Sequence, residues 1–261
     1  MAERPAGTVI IAVGDELLGG FTLDSNSHWL AQQVREAGFP CEHIEVVGDR
    51  DADIVAAIRR AAAEPRASRV FVCGGLGPTT DDRTLPAVGR ALGREIREDP
   101  EARAHIEGIV ERMHAAGWVP TRELSEANLR MAMIPRGGTV LRNRRGMASG
   151  LAYPLDGEDR WLFVLPGVPR ELQAIVSEEI LPQFFAGRSA PVVRELRYGY
   201  AIEAEFFEPM RTLESEFADV SIGSYPQTET RQLVIRVRGA DAERVDAAVA
   251  RLLQLRPLPQ D

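Results

Sequence analysis

Two adjacent carboxylates follow a glycine-rich turn in VCGGLGPTTDDRT, residues 72–84. Gly74, Gly75 and Gly77 let a backbone turn sharply and come close to a ligand. Successive exposed N–H groups in such a turn cradle an anion. Thr79 and Thr80 can donate to phosphate oxygens, whereas Asp81 and Asp82 only accept and would repel a phosphate beside them. A hard divalent cation between carboxylate and phosphate removes that repulsion, so the combination points to a metal–phosphate site. The alternative is a tight turn with the aspartates as helix caps. VGDELLGG offers Gly14, Asp15 and Glu16, and VVGDRD offers Asp49. Each aspartate alone suits an N-cap. Three loops of this kind at one edge of a sheet are harder to explain as caps.

That edge requires particular elements behind it. TVIIAV (8–13) is a continuous β-branched run, as expected of a strand covered on both faces. A helix follows, capped by Asp24 or Ser25 and stopped at Gly38. A second strand lies in 41–49, an Ala-rich helix over 52–64, and a third strand over 69–73. This alternation predicts an α/β domain with a mostly parallel sheet, its post-strand loops gathered where ligands bind. Pro86 opens the next helix, and charged helices follow over 98–116 and 122–132. DGED (156–159) turns a hairpin into RWLFVL, and PGVPRE opens another helix. AGRSAP (186–191) reads as a boundary, giving domains 1–187 and 188–261, the second a small β-α-β-β-α unit suited to oligomerisation or to covering a site.

The chain has 261 residues and a net charge of −8, which argues against duplex nucleic acid as a partner. No apolar run reaches the roughly 20 residues of a membrane helix, and MAERPAG has no signal core. Cys41 and Cys73 lie in apolar runs without a C-x-x-C pattern, as expected of buried thiols in a cytoplasmic protein. The four histidines lack paired metal spacing.

GDELLGG (14–20), DSNSHWLA (24–31), VVGD (46–49), GGLGPTTDDRT (74–84), ANLRMAMIPRGGTVLRNRRGMASG (127–150) and LPGVPRE (165–171) occur in one order over residues 8–186. In this the chain resembles the N-terminal domain of the CinA family, within the MoaB/Mog-like molybdopterin-binding superfamily. SYPQ (224–227) resembles the small piece that follows in CinA proteins. The resemblance ends before the family's C-terminal deamidase domain, so that activity is not expected of these residues. The resemblance implies a three-layer α/β/α domain plus a small α+β domain. It implies a phosphate- or pyrophosphate-bearing nucleotide or pterin ligand in a cleft lined by the glycine loop, NRRGMASG and PGVP. On that reading Gly14, Gly74, Gly75, Gly77, Thr79, Thr80, Asn143, Gly146, Ser149, Gly150, Pro166 and Gly167 contact the ligand. Arg144 and Arg145 are phosphate partners, or simply solvated. Asp49 and Asp82 fall where the Mog-like pattern has catalytic or metal-site aspartates, with Asp15 and Asp81 as weaker counterparts. Glu171 favours the first turn of its helix.

The implied activity is metal-dependent hydrolysis of ADP-ribose, or a related adenine dinucleotide such as FAD, to AMP and a phosphorylated product. The metal would be Mg, Mn, Co or Ni. The competing expectations are a binding protein without turnover and a molybdopterin adenylyltransferase. A homodimer is expected.

Overall fold

In the computed structural model, residues 7–199 and 202–258 are described. Met1–Ala6, where the missing signal core was read, lie outside them. The chain divides into two compact units, Met1–Arg188 and Ser189–Asp261.

The first unit is built on a six-stranded sheet in the order β2-β1-β3-β8-β7-β6. β1 (Gly7–Val13), β2 (Cys41–Val47), β3 (Ala67–Cys73) and β8 (Trp161–Leu165) run parallel. β7 (Gly150–Pro154) is antiparallel to both β8 and β6 (Thr139–Leu141). Every residue of β1 and β3 is buried. Period-two alternation divides β1 between two layers. Val9, Ile11 and Val13 pack with Ile54 and Ile58 of α3 (Asp51–Ala63) and Leu85 and Val88 of α4 (Thr84–Leu92). Ile10 packs with Leu30 and Val34 of α2 (Ser25–Glu36) and Leu172 and Ile175 of α7 (Pro169–Ile175). Each such fully buried side chain contributes about 1.5–3 kcal/mol. These layers form the three-layer α/β/α arrangement.

The helix ends follow their local chemistry. Asp24 caps α2, its Oδ1 accepting from the Ser27 amide at 2.9 Å. Gly38, at φ 83°, carries the chain out of the helix. α4 starts at Thr84, two residues ahead of the Pro86 that sequence suggested. α5 (Pro100–Ala115) is capped by Asp99. Within 122–132 the helix is restricted to α6 (Glu126–Ala132), which opens on a reciprocal box between Ser125 and Asn128. Met131 and Ala132 of α6 pack against Ala102, Ile106 and Val110 of α5. α1 (Asp15–Leu18) is a single turn, β4 (Ile96–Glu98) pairs with β5 (Met133–Pro135), and α8 (Leu181–Phe184) ends the unit.

Arg69 of β3 is 1% exposed. Its guanidinium donates to the carbonyls of Phe184 and Asp159 and to Asp159 Oδ2, the last at 2.9 Å, and lies over the Phe39 ring at 4.7 Å. Burial favours loss of its charge, while Asp159 opposes that shift. Arg69→Ala leaves the two carbonyls without their charged donor and opens a cavity. The expected loss is about 3 kcal/mol, read as a lowered denaturant midpoint with an unchanged slope.

The second unit has a three-stranded antiparallel sheet in the order β10-β11-β9. Its elements are β9 (Val192–Gly199), α9 (Phe207–Glu216), β10 (Ser221–Gln227), β11 (Gln232–Gly239) and α10 (Ala242–Leu255). Tyr198, Leu233, Ile235 and Val237 pack beneath Leu213 of α9 and Val245 and Leu252 of α10. The β-α-β-β-α order is the one expected.

Candidate functional site

The loops after β1, β2, β3 and β8 meet at one edge of the sheet around a cleft of about 490 Å³. Gly14, Asp49, Gly75, Gly77, Asp81 and Asp82 all border it.

The loops after β1 and β2 are clamped together by two aspartates. The Asp15 amide donates to Asp49 Oδ2 at 2.8 Å, and the Asp49 amide donates back to Asp15 Oδ1 at 3.3 Å. Gly48 permits this, since a Cβ there would overlap Asp15 Oδ1. Partial burial raises the Asp49 carboxyl above its ordinary value. The negative charges of Asp15, Glu16 and Asp81 push in the same direction, and the Asp15 amide opposes them. Asp49 therefore faces the cleft as a carboxylate under repulsion, an arrangement that favours an incoming cation.

The glycine loop is held by three neighbours. Gly74 adopts φ 108° and its amide donates to Leu165 O at 2.9 Å. Thr84 Oγ1 donates to Gly74 O at 2.8 Å, and the Thr84 amide donates to Gly75 O at 3.1 Å. Asp82 turns back into the loop. Its Oδ1 accepts from the Gly77 amide at 2.7 Å, and its Oδ2 accepts from the Thr79 amide at 2.8 Å and from Thr79 Oγ1 at 2.6 Å. The Gly77 and Thr79 donors, expected to meet phosphate, thus meet Asp82. Asp81 remains exposed. Its carboxyl lies below its ordinary value, first because the Thr79 hydroxyl is near, then because of its own amide. That hydroxyl has one proton to share between two carboxylates. Thr80 lies on an outer groove with Asp15, Asp49 and Asp81. Cys73, beneath the loop, has its thiol pushed far up by burial and does not serve as a nucleophile at neutral pH.

The NRRGMASG segment supports the opposite wall from below. Asn143 is 1% exposed. Its Nδ2 donates to Ala148 O at 2.8 Å and to Glu171 Oε2 at 2.7 Å, and its Oδ1 accepts from the Arg145 amide at 3.0 Å. Gly146 lies flat against the Glu171 carboxylate, where any Cβ would overlap both oxygens. The Gly146 carbonyl meets His105 Nε2 at 3.1 Å. Ser149 is buried with no hydrogen-bond partner for its hydroxyl among the described residues. Gly150 makes its close approach to Ile175 and Leu141 in the core. Pro166 and Gly167 border the cleft, and Gly167 packs beside Gly74. Arg144 pairs with Glu178 at 3.2 Å. Arg144 and Arg145 face a separate groove with Arg170, away from the glycine loop.

Sequence reasoning missed three members of this constellation. Thr84 anchors the loop, and its signal was a polar residue at a helix start. Asn26 Nδ2 donates to Gly167 O at 2.7 Å, tying the start of α2 to the PGVP turn. Glu171, read only as a helix-start charge, borders the cleft.

Among the described residues, no three His, Cys, Asp or Glu side chains are grouped to hold a metal ion by themselves. No helix among them is long and apolar enough to cross a membrane.

Comparison with known proteins places this architecture. Residues 9–186 match the family model described as probable molybdopterin binding domain, and residues 193–259 match that of the FAD synthase middle domain. Protein PF0476 of Pyrococcus furiosus is 32% identical over 92% of this chain and 93% of its own length. A CinA-like protein of Gemmatimonas aurantiaca is 37% identical over 71% of this chain, which spans 42% of that relative. The crystal structure of CinA from Thermoplasma acidophilum, described there as of unknown function, superposes with a TM-score of 0.60. It is 28% identical and covers 70% of this chain and 99% of its own. The chain belongs to the probable molybdopterin binding domain family and is similar, over most of its length, to CinA-like proteins.

Proposed function

We propose that the cleft hydrolyses the pyrophosphate of an adenine dinucleotide of the ADP-ribose or FAD type, with a divalent metal. Water adds to one phosphorus, the anhydride P–O bond breaks, and AMP leaves with a phosphorylated partner. The observation that carries this reading is Asp49. It is braced by Asp15 at the end of two adjacent parallel strands and opens on the cleft that also holds the glycine loop.

The donor set suits a metal shared with substrate. Mg²⁺ and similar ions commonly take one or two carboxylates and complete their shell with phosphate oxygens and water. The described residues group no three metal-binding side chains, which fits that use better than a resident ion caged by them. Asp49 and Asp81 would hold the ion, and Asp82 would keep the loop in shape for it. When bound, the ion neutralises phosphate charge and lowers the barrier to attack by water. The Gly75 amide, not drawn into Asp82, is left to donate to a phosphate oxygen. Asp15 keeps Asp49 aimed. The match of residues 193–259 to a piece of FAD synthases agrees with an adenine dinucleotide as ligand.

The family description favours a second reading, a molybdopterin-type binding domain without turnover. One experiment separates the two. Metal-stripped protein is incubated with ADP-ribose or FAD, then with Mg, Mn, Co or Ni ions, and AMP is quantified. AMP release that requires the ion is the expected result. Bound but intact dinucleotide with every ion would leave the binding reading standing alone.

A further inference from the structure

Glu171 is a buried carboxylate to which the reaction above gives no task. It sits in the first turn of α7 and is 9% exposed, yet it borders the cleft. Oε2 is locked by Asn143 Nδ2 at 2.7 Å, and the carboxylate plane rests on Gly146. Oε1 carries no hydrogen bond within the described residues, and Glu171 lines the cleft. Met131, Met147, Ala148, Val168 and Pro169 line the same cleft, whose other walls carry Asp24, Asn26, Asp49 and Asp81. Asn143, itself fully engaged, prevents the carboxylate from rotating away.

A carboxylate fixed by Asn143 at the edge of the cleft selects its contact by chemistry. It repels phosphate. With a single oxygen not already bonded, it offers a hard cation too few ligands. It suits a neutral O–H or N–H donor, and a desolvated acceptor of this kind strongly disfavours a ligand that cannot donate.

We infer that Glu171 is a specificity-determining residue whose Oε1 accepts a hydrogen bond from the uncharged nucleoside half of the ligand. Asn143 is its positioning residue. The inference rests on the nucleotide reading above. The donor is a ribose hydroxyl or the exocyclic amine of the base.

The test is equilibrium binding of AMP, 2′-deoxy-AMP, 3′-deoxy-AMP and purine riboside 5′-monophosphate to the whole chain by calorimetry. One analogue, the one lacking the donor, should bind about tenfold or more weakly than AMP, and its identity names the donor. Glu171→Gln should erase that preference. Asn143 Nδ2 requires the glutamine oxygen, which turns the amide NH2 to the cleft and replaces an acceptor by a donor. Equal binding of all four ligands to wild-type protein overturns the role of Glu171 and leaves the nucleotide reading intact. Full retention of the preference in Glu171→Gln overturns that role as well. Should Glu171→Gln fail to fold, the wild-type series decides alone. No binding of AMP to wild-type protein removes the nucleotide reading and this inference together.

Discussion

Asp49→Asn should lose AMP release by about a hundredfold or more while raising the melting temperature by about 1–2 °C. The two effects have one cause. Asp49 is a carboxylate in the company of Asp15, Glu16 and Asp81, and its carboxyl lies above the ordinary value of 3.8, first through burial and then through those charges. A carboxyl raised on folding contributes stability at low pH and loses it as pH rises through the folded value. At neutral pH the ionised form is therefore a cost to the fold. Asparagine removes the charge and keeps an oxygen for the Asp15 amide, now 2.8 Å from Asp49 Oδ2. Much of the side chain still meets water, so solvent screening limits the gain to roughly 0.5 kcal/mol. The advantage should shrink as pH falls toward 3.8 and wild-type Asp49 gains its proton. Divalent metal should stabilise wild-type protein in the presence of nucleotide and stabilise Asp49→Asn less. Activity and stability that fall together would mean that Asp49 is a structural clamp and not a metal ligand.

The sheet was legible because its signal is local. VIIAV (9–13) and VFVC (70–73) are continuous apolar runs, as expected of strands covered on both faces in a parallel sheet. Helix starts were less legible. Pro86 suits a first turn, but α4 begins at Thr84 because the Thr84 hydroxyl and amide already bind the carbonyls of Gly74 and Gly75. A π turn over Val176–Ile180 was not anticipated. Leu181 donates to Val176 O, five residues back, and Pro182 beyond it has no N–H to continue an ordinary ladder.

Within the candidate site, residue types were readable and orientations were not. Asp81 and Asp82 are identical in sequence terms. Only the return of the chain at Thr79 decides that Asp82 faces inward and Asp81 outward. Asn143, expected to touch ligand, holds Glu171 and the turn up to Ala148, a role fixed by contacts 28 residues apart in sequence. Arg144 and Arg145, expected as phosphate partners or simply solvated, line another groove. A charge count cannot say which side of a loop its side chains occupy.

Gly74→Ala should destabilise the chain by about 4 kcal/mol, the sum of backbone strain and overpacking. Gly74 adopts φ 108°, which a residue with a Cβ rarely enters. The space is also closed, since an added Cβ would overlap the carbonyl oxygen of Val13. That obstacle is backbone of a fully buried central strand, so no side-chain movement relieves it. The Gly74 amide and carbonyl are both occupied, by Leu165 O and Thr84 Oγ1 respectively. Relaxing the torsion would break both bonds. Because β1, β8 and α4 meet at this residue, the strain reaches the Asp49 loop through β1 and the PGVP turn through β8. AMP binding should weaken at temperatures where the variant is still folded. Gly93→Ala is the control. It also requires a positive φ, 63°, but an added Cβ there meets nothing within 4 Å. Its cost should stay near about 1 kcal/mol with ligand binding unchanged. Equal destabilisation of the two variants, measured by denaturant titration, would show that torsional strain alone governs Gly74. The close approach of three loops would then contribute nothing.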